Sequence, residues 1–160
     1  YDRIRPDNGI RPDNVNSSIT QYSHIKFFAV DADKKSADLD GTKNEYFDIS
    51  FSNTGGLTKY FNALKNQNNN NGPYREWLQF GRFQAGAVKD GAAGIRQIGR
   101  FLLIQKAQQF VSQLKTLVTQ AKTGLNAGAR VYVHVFSGMG GGTGSGTFLD
   151  ACYLIRKSLD

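Results

Sequence analysis

The sequence lacks the residues and runs on which several classes of protein depend. It has one cysteine and two histidines, so it can form no intrachain disulfide and offers no Cys/His cluster for zinc. No apolar run reaches the roughly 18 residues that a membrane span needs, and the N-terminus is not a signal peptide. These absences favour a cytoplasmic protein. The one thiol, Cys152, falls on the apolar face of a predicted helix and is interpreted as a buried structural residue.

What the chain has instead is glycine, gathered near its C-terminus. Five glycines lie within Gly140–Gly146. Before them the β-branched and aromatic run Val131–Phe136 predicts a buried strand, and after them an apolar-periodic segment over 148–159 predicts an amphipathic helix. Glycine lets backbone N–H groups approach phosphate oxygens, and a helix N-terminus favours negative charge. The pattern predicts a phosphate-binding loop made of Gly140, Gly141, Gly142, Thr143, Gly144, Ser145 and Gly146.

This loop is neither of the two commonest phosphate-binding motifs. A Walker loop needs a lysine directly after its last glycine, and none follows Gly146 before Lys157. A dinucleotide fingerprint should open the first βαβ unit and be followed about 20 residues later by an acidic residue, but the chain stops too soon. The run GGGTGSG instead resembles the signature loop of the tubulin and FtsZ superfamily. The preceding residues Ala127–Met139 are also similar to the FtsZ-type strand and loop.

The resemblance extends over about residues 25–160 and is strong over residues 127–160. It implies an α/β fold, namely a three-layer Rossmann-like parallel sheet flanked by helices. The chain is then expected to be a fragment that lacks the first strand and the C-terminal half of that fold. Residues 1–23, which repeat the motif IRPDN, are predicted to be a polar loop or the tail of a preceding helix. Residues 24–160 are predicted to form a partial GTP-binding domain.

Further elements follow from local patterns. Residues 25–30 and 45–51 are predicted strands, residues 57–65 are a short predicted helix, and the apolar spacing over 95–121 predicts one long amphipathic helix. Strands that alternate with helices indicate a parallel sheet with right-handed crossovers.

Two further groups of residues are candidates for the site. Asp31 and Asp33 follow the strand at 25–30, at the end where ligands bind in α/β sheets. They are interpreted either as contacts to ribose, base or magnesium-bound water, or as a helix N-cap. The segment from Ala85 resembles the FtsZ-type loop that senses the terminal phosphate. That resemblance makes Ala85, Gly86 and Ala87 backbone donors, and the alternative is a plain flexible loop.

The resemblance implies a filament-forming protein that binds GTP or GDP with Mg²⁺ and hydrolyses GTP as it assembles. In this superfamily the catalytic acidic residues come from a neighbouring subunit's loop, in a part of the fold that this sequence does not contain, so no catalytic residue is predicted here. Two alternatives stay open. One is a tubulin-like scaffold that binds nucleotide without hydrolysing it, and the other is an unrelated α/β enzyme that uses ATP or a dinucleotide.

The net charge of +7 is uneven, because nine of the basic residues fall within residues 75–130. A basic surface can bind nucleic acid or an anionic membrane. No familiar DNA-binding motif accompanies these residues, and the other interpretation is a solvated helix face. The nine are Arg75, Arg82, Lys89, Arg96, Arg100, Lys106, Lys115, Lys122 and Arg130.

Overall fold

The structure, a computed structural model, describes residues 24–32, 45–51, 56–67, 74, 76–79 and 91–159. These residues form two strands and four helices. In chain order the elements are β1 (Ala29–Asp31), β2 (Tyr46–Asp48), α1 (Gly56–Gln67), α2 (Arg96–Gln105), α3 (Ala107–Lys122) and α4 (Gly142–Leu159). The predicted polar segment 1–23 lies outside the described residues.

The two strands pair in parallel, with Ala29 opposite Tyr46 and Asp31 opposite Asp48. Both are shorter than the strands predicted over 25–30 and 45–51. A parallel pair needs helices on its faces, and α3 supplies such a cover. The ring of Phe110 lies 5.3 Å from that of Phe28 and 5.8 Å from that of Phe47. The described chain is therefore a helix-rich α/β unit with a small parallel sheet.

The core joins α1 and α2 through aromatic rings. Phe101 of α2 is fully buried, and its ring lies 5.0 Å from Phe61 and 5.9 Å from Tyr60, both on α1. Tyr74 contacts the same ring at 5.2 Å, which holds the segment before α2 against the helix. The helix predicted over 57–65 is confirmed as α1, and its Leu57 is fully buried.

The single helix predicted over 95–121 is in fact two helices, because the chain turns at Lys106. There φ is −113° and ψ is 15°, and the Lys106 N–H donates to the Leu103 carbonyl at 3.0 Å. Lys106 Nζ reaches β2 and donates to the Asp48 carbonyl at 2.8 Å. This bond and the packing of Phe110 hold the turn against the strands. The apolar spacing continues through the turn, so periodicity alone could not locate it.

Replacing Lys106 with Met tests the tie between this turn and β2. The aliphatic stem is largely kept, but the ammonium donor to the Asp48 carbonyl is lost. We expect the free energy of unfolding to fall by about 1 kcal/mol, below the roughly 1.5–3 kcal/mol of a charged hydrogen bond because Lys106 is only half-buried. Chemical denaturation measures the loss, with Lys115→Met at an exposed position of α3 as the control. Equal stability of Lys106→Met and the parent protein would contradict the expectation.

The prediction of a buried strand over Val131–Phe136 is wrong for the structure described. The segment belongs to neither strand, and no backbone hydrogen bond joins it to another described residue. Tyr132 and Phe136 are 76% and 75% exposed, whereas Val133 and Val135 are 41% and 40% exposed. β-Branched and aromatic residues favour extended backbone, but a strand also needs a neighbouring strand that accepts and donates its hydrogen bonds.

α4 begins at Gly142, inside the glycine run, and not after Gly146 as the sequence suggests. Its Ala151, Leu154 and Ile155 pack against the core. Cys152, in the same turn, was predicted to be buried and is half-buried. None of the described helices combines the length and the apolar character that crossing a bilayer requires.

Candidate functional site

The glycine run is divided between a turn at residues 139–140 and the first turns of α4. The first four N–H groups of an α-helix have no acceptor within the helix. In α4 these groups belong to Gly141, Gly142, Thr143 and Gly144, and none of them has a hydrogen-bond partner among the described residues. They are available to an anion, which the helix dipole also favours.

The start of α2 lies directly beside the start of α4. A Cβ built on Gly142 would come within 2.6 Å of the Ile95 nitrogen and 2.8 Å of the Gly94 carbonyl carbon, in the residues that lead into α2. A Cβ on Gly99, one turn into α2, would overlap the carbonyl of Gly142. The two helices can approach this closely only because glycine occupies the contact positions.

The two helices run in the same direction away from this contact. Gly142 lies against the residues before α2, Gly146 lies against Arg96, and Asp150 is bonded to Arg100. The N-termini of α2 and α4 are therefore at the same end. The N–H groups of Arg96 and Gln97 also have no hydrogen-bond partner within the part of the chain that the structure describes, so both helices present free donors there.

A chain of contacts places these helix starts near the carboxyl end of β1. Ala32 follows β1 directly, and a Cβ on Gly91 would lie 3.6 Å from the Ala32 carbonyl oxygen. The next residue, Ala92, is buried, and its Cβ would lie 2.9 Å from a Cβ on Gly142. The carboxyl end of parallel strands is where α/β proteins bind their ligands. The glycine run is at that end.

The five glycines of the run fall into two groups. A Cβ on Gly140 or Gly141 would meet nothing within 4 Å, so these two positions border space that the described residues leave unfilled. Gly142, Gly144 and Gly146 are packed, because a Cβ on any of them would overlap neighbouring backbone. For Gly144 the nearest atom is the Gly138 carbonyl oxygen at 2.5 Å. Three of the five glycines are thus required by helix packing and loop closure.

The two hydroxyl residues of the run differ in their surroundings. Ser145 Oγ donates to the Gly141 carbonyl one turn earlier, so this hydroxyl is engaged within the helix. Such back-bonding is common for serine in a helix. Thr143 lies in the first turn of α4 and is half-buried. Of the two hydroxyl groups predicted to contact phosphate, only that of Thr143 makes no hydrogen bond to a described residue.

The remaining predicted site residues are only partly described. Asp31 ends β1, and its Oδ1 accepts a hydrogen bond from the Ala32 N–H at 2.6 Å. This bond joins neighbouring residues, whereas a helix N-cap accepts from the N–H two or three residues later, so it is not a capping bond. Asp33 and the segment Ala85–Ala87 (Ala85, Gly86 and Ala87) lie outside the described residues, and their predicted contacts stay predictions.

Sequence reasoning missed the residues that hold α2 and α4 together. Gly99 had a signal that could have found it, because a glycine inside a helical pattern costs about 1 kcal/mol relative to alanine. The ion pair between Arg100 and Asp150 had none, since the two residues are 50 positions apart. Arg100 and Lys106 were both counted in the basic region 75–130, yet both bond to other residues of the chain.

The arrangement fits a phosphate group in its donors, its charge and its space. Backbone N–H groups are the usual phosphate ligands of glycine loops and helix N-termini. Here they come from two helices that start side by side, and the space that the described residues leave unfilled lies at Gly140 and Gly141. Arg96, the first residue of α2, adds an exposed cation close by. No described carboxylate forms an ion pair with it.

Comparison with known proteins agrees with the motif. The model of a family described as tubulin-like matches residues 12–160, which include every element and every site residue described above. A search of the curated proteins gave no significant match, and a search of the solved structures gave none either. The family match covers far more than half of the chain. The chain belongs to the tubulin-like family.

Proposed function

We propose that this chain is the nucleotide-binding part of a GTP-dependent, filament-forming tubulin-like protein. The observation that supports it most directly is the pair of helix starts. Among the described residues, N–H groups at the starts of both α2 and α4 have no partner, and no atom lies within 4 Å of a Cβ built on Gly140 or Gly141. A di- or triphosphate carries the negative charge that such donors bind. Membership of the tubulin-like family makes guanine nucleotide the first candidate.

The proposal assigns a role to each group of site residues. Gly140–Gly146 binds the α- and β-phosphates, and Ala85–Ala87 contacts the terminal phosphate. Asp31 and Asp33 face the ribose, the base or a magnesium-bound water. Mg²⁺ prefers phosphate and water oxygens and few protein ligands, so it would be held chiefly by the nucleotide. The proposal includes a complete three-layer α/β fold, to whose parallel sheet β1 and β2 would contribute two strands.

The proposal extends to assembly. Subunits of the tubulin-like protein would associate head to tail into filaments, and a neighbouring subunit would supply the acidic residues that position the attacking water. No residue of this chain is assigned a catalytic role. The chain's own part in hydrolysis is to bind the phosphates and to fix their position relative to the next subunit.

Equilibrium binding of labelled GTP tests the proposal. The intact protein is titrated in Mg²⁺, first alone and then with unlabelled GTP, ATP or NAD⁺ as competitors. We expect saturable binding that GTP displaces and the adenine compounds do not. Absence of binding, or displacement by ATP at the same concentration as GTP, would contradict the assignment. Turnover of bound GTP then separates a GTPase from a scaffold that binds nucleotide without hydrolysing it.

A further inference from the structure

Arg100 contacts two parts of the chain outside its own helix, Asp150 on α4 and Trp77 in the segment before α2. Its Nε donates to Asp150 Oδ2 at 2.8 Å, and a second guanidinium nitrogen donates to Asp150 Oδ1 at 3.3 Å. Its guanidinium carbon lies 4.5 Å from the centre of the Trp77 ring. One side chain on α2 thereby joins α4 to the segment that precedes α2.

Both partners of Arg100 are held by other contacts. Asp150 lies on α4 two turns after the free N–H groups. Trp77 lies in the segment 76–79, where the Gln79 N–H donates to the Gln97 side chain on α2 at 3.1 Å and the rings of Trp77 and Tyr74 lie 6.0 Å apart. Arg100 thus contacts Trp77 on one side and is bonded to α4 on the other.

The contribution of this ion pair to stability is expected to be small. The side chains of Arg100 and Asp150 are 41% and 27% exposed, and exposed pairs contribute little net free energy because water screens them. The geometry of the pair is nevertheless specific. A two-point contact between guanidinium and carboxylate fixes the orientation as well as the distance of the two groups.

The ion pair also lies next to the glycine contact. Gly99, the neighbour of Arg100, lies against Gly142, and Gly146 lies against the backbone of Arg96 and Arg100. Glycine contacts permit a close approach of the helices, but they offer no side chain that could stop α4 from sliding or rotating. The bond to Asp150 is the only ion pair between α2 and α4 among the described residues.

We infer that Arg100 is a positioning residue for the nucleotide site, which holds the first turn of α4 beside the first turn of α2. The inference rests on the proposed function and adds a residue that does not touch the nucleotide. Trp77 is the one tryptophan of the chain, and its ring stacks on the Arg100 guanidinium, which is bonded to α4. Nucleotide binding to α4 should therefore change the fluorescence of Trp77.

Three variants of the intact protein test the inference. Asp150→Asn keeps the size of the side chain and removes its charge, and Arg100→Met keeps the aliphatic stem and removes the fork of donors. Arg156→Met is the matched control, because it removes the same charge from an exposed position on α4. For each variant we would measure the dissociation constant for GTP, the change in tryptophan fluorescence on GTP addition, and the melting temperature.

We expect the dissociation constant for GTP to rise about 3- to 30-fold in Asp150→Asn and Arg100→Met, the range for residues that act on a ligand through other residues. The double variant should weaken binding no further than Arg100→Met alone. The GTP-dependent fluorescence change should fall in Asp150→Asn, although Trp77 is intact. Arg100→Lys keeps the charge but not the two-point contact, and its affinity should lie between those of the parent and Arg100→Met. Arg156→Met should bind within about twofold of the parent.

The outcomes separate this inference from the proposed function. If the parent protein binds no GTP, the proposed function fails and the inference fails with it. If the parent binds GTP but Asp150→Asn and Arg100→Met bind equally well, the inference alone is overturned. A lower melting temperature with unchanged affinity and unchanged fluorescence response would show a structural bond only, and would also overturn it.

Discussion

Replacing Gly141 with Asp is expected to abolish nucleotide binding without lowering the stability of the protein. Gly141 is the residue before α4, where a carboxylate can accept the free N–H groups of the helix. Its φ is not in the left-handed region and a Cβ there meets nothing within 4 Å, so the substitution introduces neither strain nor a clash. The new carboxylate would take the donors that a phosphate needs.

The expected loss of affinity follows from the charge. Two unit charges about 4 Å apart repel by about 4 kcal/mol at an effective dielectric constant of 20, so we expect the dissociation constant for GTP to rise at least about 100-fold. The melting temperature should stay the same or rise slightly, because Asp is a better N-cap than Gly by a few tenths of a kcal/mol. GTP titration and thermal unfolding on the same preparation measure both quantities.

Gly141→Asn is the matched control. Asn has the size of Asp and caps a helix equally well, but it is neutral. We expect a much smaller loss of affinity than in Gly141→Asp, and the same melting temperature. If both variants bind GTP as tightly as the parent, the first turn of α4 does not bind the phosphates, and the proposed site is wrong. Gly144→Val is a weaker test, because its side chain would meet the Gly138 carbonyl before it met a ligand.

The sequence predicts a phosphate site at the glycine run, which stays a prediction, and could not separate the roles of its glycines. The run Gly140–Gly146 predicted a backbone cradle for phosphate, and the N–H groups of Gly141–Gly144 have no hydrogen-bond partner in the part of the chain that the structure describes. A glycine in a sequence shows only that a side chain is missing. Whether a ligand or other protein atoms occupy the space of that side chain depends on α2. Gly99 of α2, which packs against Gly142, is 41 or more residues away from the run.

Elements whose partners are distant were the least predictable. The helix over 57–65 depends on local spacing and was predicted correctly. The run Val131–Phe136 was assigned to a strand from its composition, but a strand depends on a neighbour that composition does not specify. The turn at Lys106 also depends on a distant partner, because Lys106 bonds to the Asp48 carbonyl 58 residues earlier. No glycine or proline at the turn predicts it from the sequence.

Replacing Gly146 with Ala is expected to destabilise the protein, against the usual preference of helices for alanine. In an exposed helix interior this change would stabilise by about 1 kcal/mol. Here the new Cβ would overlap the Arg96 carbonyl oxygen and lie 2.9 Å from the Arg100 nitrogen, both of them backbone atoms that cannot rotate away. Overpacking costs about 1–3 kcal/mol, and a clash with two backbone atoms belongs at the upper end of that range. After the helix gain of about 1 kcal/mol, we expect a net loss of about 2 kcal/mol and a fall in melting temperature of about 4–8 °C.

Gly128→Ala is the control for Gly146→Ala, because a Cβ at Gly128 meets nothing within 4 Å. Its melting temperature should match that of the parent within about 1 °C, which corresponds to the small effect of most surface substitutions. GTP affinity is then measured at a temperature where every variant is folded. A Gly146→Ala protein as stable as the parent but unable to bind GTP would mean that phosphate, and not α2, occupies the place of the missing side chain. If Gly146→Ala is less stable than the parent, glycine is needed at position 146 for the close contact between α2 and α4. Gly140 and Gly141 are then the glycines that approach the nucleotide.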